Sequence, residues 1–201
     1  MTRGRFVVVE GGEASGKSTQ VPLLVARLRA RGREVVATRE PGGTDAGAAL
    51  RVVALDRGVA PEAEALVMAA DRAQHVAELI RPALEAGRWV VSDRFVPSSL
   101  AYQGVGRGLG VDHIEELSRW ATGGLEPDLV VVVDVDDAVA GLRRDGPSDR
   151  LEEAGAAFHA QVRRAYRDLA GERGWVLVDG DAPIDAVAER IWAVVAARLD
   201  P

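Results

Sequence analysis

The segment at residues 7–21, VVVEGGEASGKSTQV, combines residue types that bind phosphate. The spacing of Gly11, Gly16, Lys17 and Ser18 matches the P-loop pattern G-x-x-x-x-G-K-[ST], between an apolar run and a stretch with helical periodicity. In such a loop, backbone N–H groups and a helix N-terminus converge on an anion, the lysine reaches the outer phosphates, and the hydroxyl ligates Mg²⁺. The predicted ATP site consists of Gly11, Gly12, Glu13, Ala14, Ser15, Gly16, Lys17, Ser18 and Thr19.

Lys17 is the only lysine in the chain, and 24 of the 25 lysines and arginines are therefore arginines. A planar guanidinium suits carboxylates and exposed surfaces, whereas a compact ammonium fits between phosphates inside a tight loop. The position of the single lysine therefore favours a phosphate-binding loop over a chance match to a glycine-rich turn.

A second set of polar residues follows a predicted strand in the run WVVSDRFVPSSLAYQG, residues 89–104. Asp93 ends the strand, where a carboxylate beside a P-loop can hold Mg²⁺ through water. The next residue, Arg94, can bind a second phosphate. The alternative is a structural ion pair at the end of the sheet.

Three arginines, Arg143, Arg144 and Arg150, surround the hydrophilic sequence DGPS between two predicted helices. Arginines on a closing lid can neutralise the charge that develops during phosphoryl transfer and can exclude water. Residues 143–152 could form such a lid, and the alternative is a solvated surface loop.

Short apolar runs alternate with longer segments of helical periodicity along the whole chain. Strands are predicted at residues 6–10, 34–38, 89–92, 129–134 and 175–179, and helices at residues 18–31, 45–56, 62–85, 111–122, 136–143, 152–172 and 184–199. The alternation is typical of a parallel sheet with helices on both faces. We predict one doubly wound α/β domain over residues 1–201, with a five-stranded parallel sheet. The runs REPGGTD, YQGVGRGLG and RRDGPSDR are predicted to be loops at the ends of the sheet.

The composition argues against several classes of protein. The 201 residues can bury one core, and there is no cysteine to form a disulfide or bind a metal. A net charge of −6 argues against general binding of nucleic acid. No run resembles a signal peptide or a membrane span, so a cytoplasmic enzyme is predicted. The chain lacks asparagine, which argues against the Asn-Lys-x-Asp guanine-binding loop of GTPases.

The three histidines, His75, His113 and His159, lie on predicted helices without the spacing of a metal site. We predict structural or surface roles for them.

Several blocks of sequence, in matching order, resemble the bacterial branch of the thymidylate kinase family. The most specific is DRFVPSSLAYQG at residues 93–104, which is similar to the family's acceptor signature. REPGGT, AADRAQHV, IRPAL and PDLVVVVDV are similar to four further blocks, at residues 39–44, 69–76, 80–84 and 127–135. The resemblance covers most of the chain and implies the fold of a P-loop nucleoside monophosphate kinase.

The resemblance implies roles at the acceptor site. Arg94 and Arg51 match arginines that hold the acceptor phosphate, and Arg72 and Gln103 match residues that read the thymine edge. Tyr102 matches a tyrosine that packs where a ribose 2′-hydroxyl would lie. The implied dTMP-binding residues are Glu40, Pro41, Arg51, Met68, Arg72, Arg94, Ser99, Tyr102 and Gln103.

Two positions depart from the family pattern. Met68 stands where the family usually has a phenylalanine whose ring stacks on thymine, and a methionine covers a base without a planar ring. Pro97 stands where relatives often have an acidic residue.

The resemblance also bears on phosphoryl transfer. The P-loop has no basic residue besides Lys17, which is similar to the branch in which the lid supplies the catalytic arginine. This implies a catalytic set of Lys17, Arg94 and Arg150, assisted by Arg143 or Arg144. Glu13 matches a P-loop carboxylate near the 3′-hydroxyl of the acceptor sugar and completes the set.

The predicted function is transfer of the γ-phosphate of ATP to dTMP, with Mg²⁺ held by Ser18 and Asp93. No nucleic-acid or membrane partner is expected, and the resemblance implies a homodimer that pairs through helices. Two alternatives stay open: another nucleoside or nucleotide kinase, which Met68 would favour, and a regulatory protein that binds nucleotide without turnover.

Overall fold

The computed structural model describes residues 3–55, 58–143 and 154–201. Five strands form one sheet: β1 (Phe6–Glu10), β2 (Val35–Arg39), β3 (Trp89–Asp93), β4 (Leu129–Asp134) and β5 (Val176–Asp179). Their spatial order is β2-β3-β1-β4-β5, and every neighbouring pair is parallel. Because the chain builds outwards from β1 in both directions, the predicted doubly wound five-stranded sheet is confirmed.

Helices cover both faces of the sheet. In chain order they are α1 (Lys17–Ala30), α2 (Asp45–Leu55), α3 (Pro61–His75), α4 (Arg81–Glu85), α5 (Val96–Ser99), α6 (Val111–Thr122), α7 (Asp137–Arg143), α8 (Ala156–Arg173) and α9 (Ile184–Leu199). A π-helical segment, Val76–Ile80, joins α3 to α4, and a second, Leu100–Gly106, continues α5. The predicted helix at residues 62–85 is thus one continuous helical run, whose middle segment has the i→i+5 hydrogen bonds of a π-helix.

Successive residues of β1 face two separate hydrophobic cores. Val7 and Val9 pack with α1 and α9 on one face of the sheet. Phe6 and Val8 pack with α8 and the Val76–Ile80 segment on the other face. Burial on both faces explains why this strand is a continuous apolar run rather than an alternating one.

The run YQGVGRGLG was predicted to be a loop, and this is wrong as far as Gly106, because the chain there is helical. The early residues of the run are buried, and its glycines allow close packing. A Cβ on Gly106 would lie 2.8 Å from the Phe158 ring. The chain turns only later, at Gly108 and Gly110, whose φ angles are 71° and 87°.

The sheet register brings the ends of three strands together. Val9 of β1 and Arg39 of β2 are both paired with Asp93 of β3. The loops that follow these strands therefore meet at one edge of the sheet, where ligands bind in open α/β folds. In the part of the chain that the structure describes, no helix is long and apolar enough to cross a membrane.

Candidate active site

The loop between β1 and α1 has a backbone geometry suited to an anion. Gly11 has a φ of 144°, and a Cβ there would lie 2.4 Å from Val133 O, so a larger residue would not fit. Gly16 is left-handed, with a φ of 92°, directly before α1. The first N–H groups of a helix have no partner within it, so they are available to a ligand in the loop. Ser18 and Thr19 are exposed at this helix start.

The Lys17 side chain is buried across the loop. Its Nζ donates hydrogen bonds to Gly11 O at 3.0 Å, to Gly12 O at 2.7 Å and to Ser15 Oγ at 3.2 Å. Burial and the nearby charge of Arg94 lower the pKa of Lys17 to about 8. The ammonium therefore lies inside the loop that the sequence predicts to bind phosphate.

Arg94 faces the P-loop and contacts several groups around it. Its Nη2 donates to Glu13 Oε1 at 2.6 Å and to Tyr102 Oη at 3.3 Å, and its Nη1 donates to Gly11 O at 3.3 Å. The backbone of Arg94 has a φ of 73°. For a non-glycine residue this conformation costs about 1–3 kcal/mol and persists only where other contacts hold it. The ion pair with Glu13 and the stacking on Tyr102 are such contacts.

Glu13 is ionised in this cluster at neutral pH. Burial opposes its charge, but Arg94 and Lys17 outweigh burial and lower the pKa of Glu13 to about 2. Tyr102 Oη donates to Glu13 Oε1 at 3.0 Å. A carboxylate, a phenol and a guanidinium are thus fixed together between the P-loop and the segment that follows β3.

A buried carboxylate, Glu10, supports this cluster and was missed by the sequence analysis. It ends β1 and accepts hydrogen bonds from Phe95 N at 2.8 Å and from Ser98 Oγ and Tyr166 Oη at 2.7 Å each. Burial raises the pKa of Glu10, and Arg94 and the hydrogen bonds offset only part of this effect. An acid that ends a fully apolar strand was the signal, because a buried charge needs partners.

The predicted magnesium ligands, Ser18 and Asp93, line one cavity at the P-loop. Asp93 Oδ1 is buried and has no hydrogen-bond partner among the described residues. Such an atom is costly unless a ligand satisfies it. The described part of the chain holds no cluster of three or more metal-binding side chains. Mg²⁺ commonly uses one or two carboxylates together with substrate phosphates, so these oxygen ligands fit that ion.

The acceptor residues implied by the resemblance lie together in a second cavity. All nine line it, although they come from separate parts of the chain: Glu40, Pro41, Arg51, Met68, Arg72, Arg94, Ser99, Tyr102 and Gln103. The loop after β2, helices α2 and α3, and the chain after β3 each contribute. Asp71 and Leu55 complete part of the wall.

The guanidinium of Arg72 is held in one orientation. Its Nε donates to Glu40 Oε2 at 2.8 Å, and its Nη2 donates to Ser99 Oγ at 3.0 Å and to Phe95 O at 3.2 Å. A longer bond of 3.4 Å joins Nη1 to Ser118 Oγ. A guanidinium has five N–H groups, so within the described structure one N–H of Nη1 remains for a ligand.

His75 lies behind Glu40. His75 Nδ1 is 2.9 Å from Glu40 Oε1, and Nε2 is 2.6 Å from Thr38 Oγ1. Because the carboxylate accepts, Nδ1 carries a proton, and Nε2 forms the hydrogen bond with the threonine hydroxyl. His75 therefore holds Glu40, which in turn holds Arg72, a structural role that the sequence did not connect to the acceptor site. His159 is also buried, and His113 is exposed.

The P-loop cavity and the acceptor cavity adjoin. Both are lined by the same two carboxylates and two arginines: Glu13, Glu40, Arg51 and Arg94. Arg51 Nη1 donates to Pro41 O at 3.1 Å. Phosphates bound in the two cavities would therefore meet at these arginines, which is an arrangement suited to transfer between them.

A family model described as Thymidylate kinase matches residues 9–191. The chain belongs to the thymidylate kinase family. Curated relatives named "Thymidylate kinase" include the protein of Leifsonia xyli subsp. xyli, which is 48% identical over 203 residues, 98% of this chain and 95% of the relative. The protein of Halothermothrix orenii is 45% identical over 94% of this chain and 95% of its own length. The protein of Deinococcus radiodurans is 46% identical over 98% of this chain and 99% of its own length.

Membership of the thymidylate kinase family confirms the resemblance and the kinase fold, and it draws attention to Met68. This residue is buried in the wall of the acceptor cavity. Met68 and Ala54 form a small buried cluster, and Leu55 and Val67 pack against this cluster. Its side chain therefore covers the cavity from the α2–α3 side, although it lacks a ring.

Of the three arginines predicted to lie on a lid, one is in the part of the chain that the structure describes. Arg143 is exposed, its Nη2 donates to Gly180 O at 3.1 Å, and it lines neither cavity. Gly180 adjoins the P-loop, since a Cβ on it would lie 3.6 Å from Ser15 O. Arg144, Arg150 and the remainder of the predicted lid lie outside the described residues, which resume at 154.

A larger cavity of about 550 Å³ lies elsewhere, between α6 and the chain around Trp175. None of the predicted site residues lines it. The Arg173 guanidinium in its wall is paired with Glu115 through two hydrogen bonds of 2.8 Å.

Proposed function

We propose that the protein is an ATP-dependent dTMP kinase that produces dTDP and ADP for dTTP synthesis. One observation carries the proposal: the P-loop cavity and the acceptor cavity share Glu13, Glu40, Arg51 and Arg94. An oxygen of the dTMP phosphate attacks the γ-phosphorus of ATP, and the bond from that phosphorus to the ADP oxygen breaks. Family membership supports this substrate pair. Because both nucleotides are cytoplasmic metabolites, we expect the enzyme to act in the cytoplasm.

The donor binds to the P-loop, residues 11–19. Its amides and Lys17 hold the outer phosphates of ATP. Ser18 and Asp93 hold Mg²⁺, which when bound neutralises phosphate charge and orients the donor. Asp93 is ready for this role because its buried oxygen has no donor among the described residues.

The acceptor phosphate binds to Arg94 and Arg51. Arg94 is already oriented by Glu13 and Tyr102, so little reorganisation is needed when charge moves during the reaction. Glu13 receives the 3′-hydroxyl of the acceptor sugar, and Tyr102 packs against its 2′ position. Arg150, assisted by Arg143 or Arg144, supplies positive charge to the transferring group.

The base lies in the deeper part of the acceptor cavity. The remaining N–H of Arg72 donates to the O4 carbonyl of thymine, and Gln103 contacts the neighbouring N3 position. Ser99 holds Arg72, and Met68 covers a face of the base. The groups that read the base are thus buried and pre-oriented, which favours discrimination.

The direct test is ADP formation by the purified protein with Mg-ATP and one acceptor at a time: dTMP, dUMP, dCMP, dGMP or thymidine. We expect the highest kcat/KM with dTMP. A different preferred acceptor would support a kinase with changed base preference and would direct attention to Met68. Binding of ATP without ADP formation for any acceptor would refute the kinase and favour a nucleotide-binding regulatory protein.

We also propose that the protein forms a homodimer through α2, α3 and α6. These helices pack side by side and expose large apolar side chains, including Leu66 at 59% and Trp120 at 82% exposure. Sedimentation velocity should show a dimer that Trp120→Glu dissociates. Leu142→Glu, on α7, is the matched control and should leave the dimer intact. A monomeric wild-type protein at micromolar concentration would refute the proposal.

A further inference from the structure

A buried carboxylate lies behind Gln103. Glu64, in the first turn of α3, is 0% exposed, and Gln103 is 2% exposed. Gln103 Nε2 lies 2.7 Å from Glu64 Oε1. The Arg107 guanidinium pairs with the same carboxylate, with Nη2 3.2 Å from Oε2 and Nε 3.4 Å from Oε1. Glu64 therefore presents an ion-paired carboxylate to the amide.

This contact determines which way the amide points. A carboxylate has only acceptors, so the end of the Gln103 amide that faces it must be the NH₂ group. The reverse orientation would place two oxygens about 2.7 Å apart without a proton between them. The amide oxygen is consequently the end that remains for a ligand in the acceptor cavity, which Gln103 lines.

Arg107 is itself held in place. Its guanidinium lies over the Phe158 ring, 4.7 Å from the ring centre. Stacking and ion pairing restrict the guanidinium, and the guanidinium in turn restricts Glu64. A chain of contacts thus runs from α8 through Arg107 and Glu64 to the Gln103 amide.

We propose that Glu64 is a positioning residue that fixes the Gln103 amide and so makes the site select bases with an N3–H group. The inference rests on the proposed function, because it requires Gln103 to face the base of the acceptor. Thymine and uracil present an N3–H donor beside the O4 acceptor, which match the Gln103 oxygen and the remaining N–H of Arg72.

Cytosine is rejected by the same two groups. It presents an unprotonated N3 acceptor and an N4 amino donor, so an acceptor would face the Gln103 oxygen and a donor would face Arg72. A freely rotating amide could turn its NH₂ group toward cytosine. The fixed carboxylate prevents this adaptation, so selectivity arises from an unfavourable contact with the wrong base as well as from a favourable one with thymine.

The test is Glu64→Gln, which keeps the size of the side chain but lets the Gln103 amide adopt either orientation. We measure kcat/KM of the full-length enzyme for dTMP, dUMP and dCMP, using inhibition constants where turnover is too slow. The kcat/KM values for dTMP and dUMP should both fall about tenfold, because their KM values rise. The kcat/KM for dCMP should not fall. Glu62→Gln, exposed on the same helix turn, is the matched control and should change none of the three. A parallel fall for dTMP and dCMP, or no change in their ratio, would overturn the proposal.

A double-mutant cycle separates positioning from a general structural role. If Glu64 acts through Gln103, then adding Glu64→Gln to Gln103→Ala should change the dTMP-to-dCMP ratio by less than about twofold. If Glu64→Gln still narrows the dTMP-to-dCMP ratio of kcat/KM in the Gln103→Ala variant, the inference would be refuted. Arg107→Gln provides a second route should Glu64→Gln fold poorly, because Arg107 is partly exposed. It leaves the Glu64 carboxylate in place but removes a group that restrains it, so the dTMP-to-dCMP ratio should narrow in the same direction and by less than with Glu64→Gln.

Failure of this inference is distinguishable from failure of the proposed function. A wild-type enzyme that does not phosphorylate dTMP would refute the function itself. A wild-type enzyme that phosphorylates dTMP, with a ratio that Glu64→Gln does not change, would refute only the positioning role.

Discussion

Replacing His75 with leucine tests whether hydrogen bonds behind the acceptor cavity hold it in shape. The substitution introduces an apolar side chain of similar size and removes both ring nitrogens. Glu40 Oε1 and Thr38 Oγ1 each lose a partner, at 2.9 Å and 2.6 Å respectively. Glu40 then keeps its bond to Arg72 but loses its bond to residue 75, so the carboxylate that orients Arg72 is itself less well held.

The loss of stability follows from the burial of the two groups. Glu40 is 5% exposed, so loss of a hydrogen bond to its carboxylate should cost about 2–3 kcal/mol. Thr38 is only half-buried, and its hydroxyl can find water, so about 1 kcal/mol is expected there. With a urea m-value of about 2–3 kcal/mol/M, the unfolding midpoint should fall by roughly 1–2 M.

The effect on catalysis should be confined to the acceptor. We expect KM for dTMP to rise about tenfold, since Arg72 is less well oriented, with kcat and KM for ATP within about threefold of the wild type. Urea unfolding followed by circular dichroism and steady-state kinetics give both values. His113→Leu, at an exposed position on α6, is the control. An unchanged midpoint together with an unchanged KM for dTMP would refute the reasoning.

Three further predictions concern the same cavities. Met68→Phe places a ring in the wall of the acceptor cavity. Stacking on a base is worth about 1–3 kcal/mol relative to alanine, and Met68 already supplies part of this contact, so calorimetry should show about three- to tenfold tighter dTMP binding. Weaker binding would mean that the wall has no room for the ring. Lys17 loses its charge above a pKa of about 8 in the free enzyme, so kcat/KM for ATP should fall with rising pH above that value. The kcat at saturating ATP should persist to higher pH, since bound phosphates favour the ammonium, and a kcat/KM that stays flat to about pH 9.5 would contradict the assignment. Arg94→Ala removes one of the two shared arginines and should lower kcat/KM for dTMP at least about a hundredfold, with KM for ATP within about threefold; an unchanged kcat/KM for dTMP would exclude Arg94 from the acceptor site.

Much of the fold could be predicted from local patterns. The bounds of β1 and β4 match the prediction because their apolar runs are buried on both faces of the sheet. The π-helical continuation of α5 was missed because glycines in YQGVGRGLG read as turn residues. Gly106 instead lies against the Phe158 ring, a contact with α8 that no local pattern contains.

The candidate site divides in the same way. The nine acceptor residues could be named because they lie in blocks that resemble the family, and they line one cavity. His75 and Glu64 could not, because a buried polar residue reveals its role only through its partners, and Glu10 was missed although it ends an apolar strand. Glu64 and Gln103 are 39 positions apart in the chain, and their contact depends on how α3 meets the continuation of α5.

The sequence by itself determined the P-loop motif, the parallel α/β class and the family, since these depend on short-range spacing and on the order of blocks along the chain. Only the tertiary structure decided how the P-loop cavity and the acceptor cavity meet at Arg51 and Arg94, and which way the amide of Gln103 points. The physical reason is that hydrogen-bond orientation and burial belong to pairs of groups in space, and folding creates those pairs from residues that are distant in the chain.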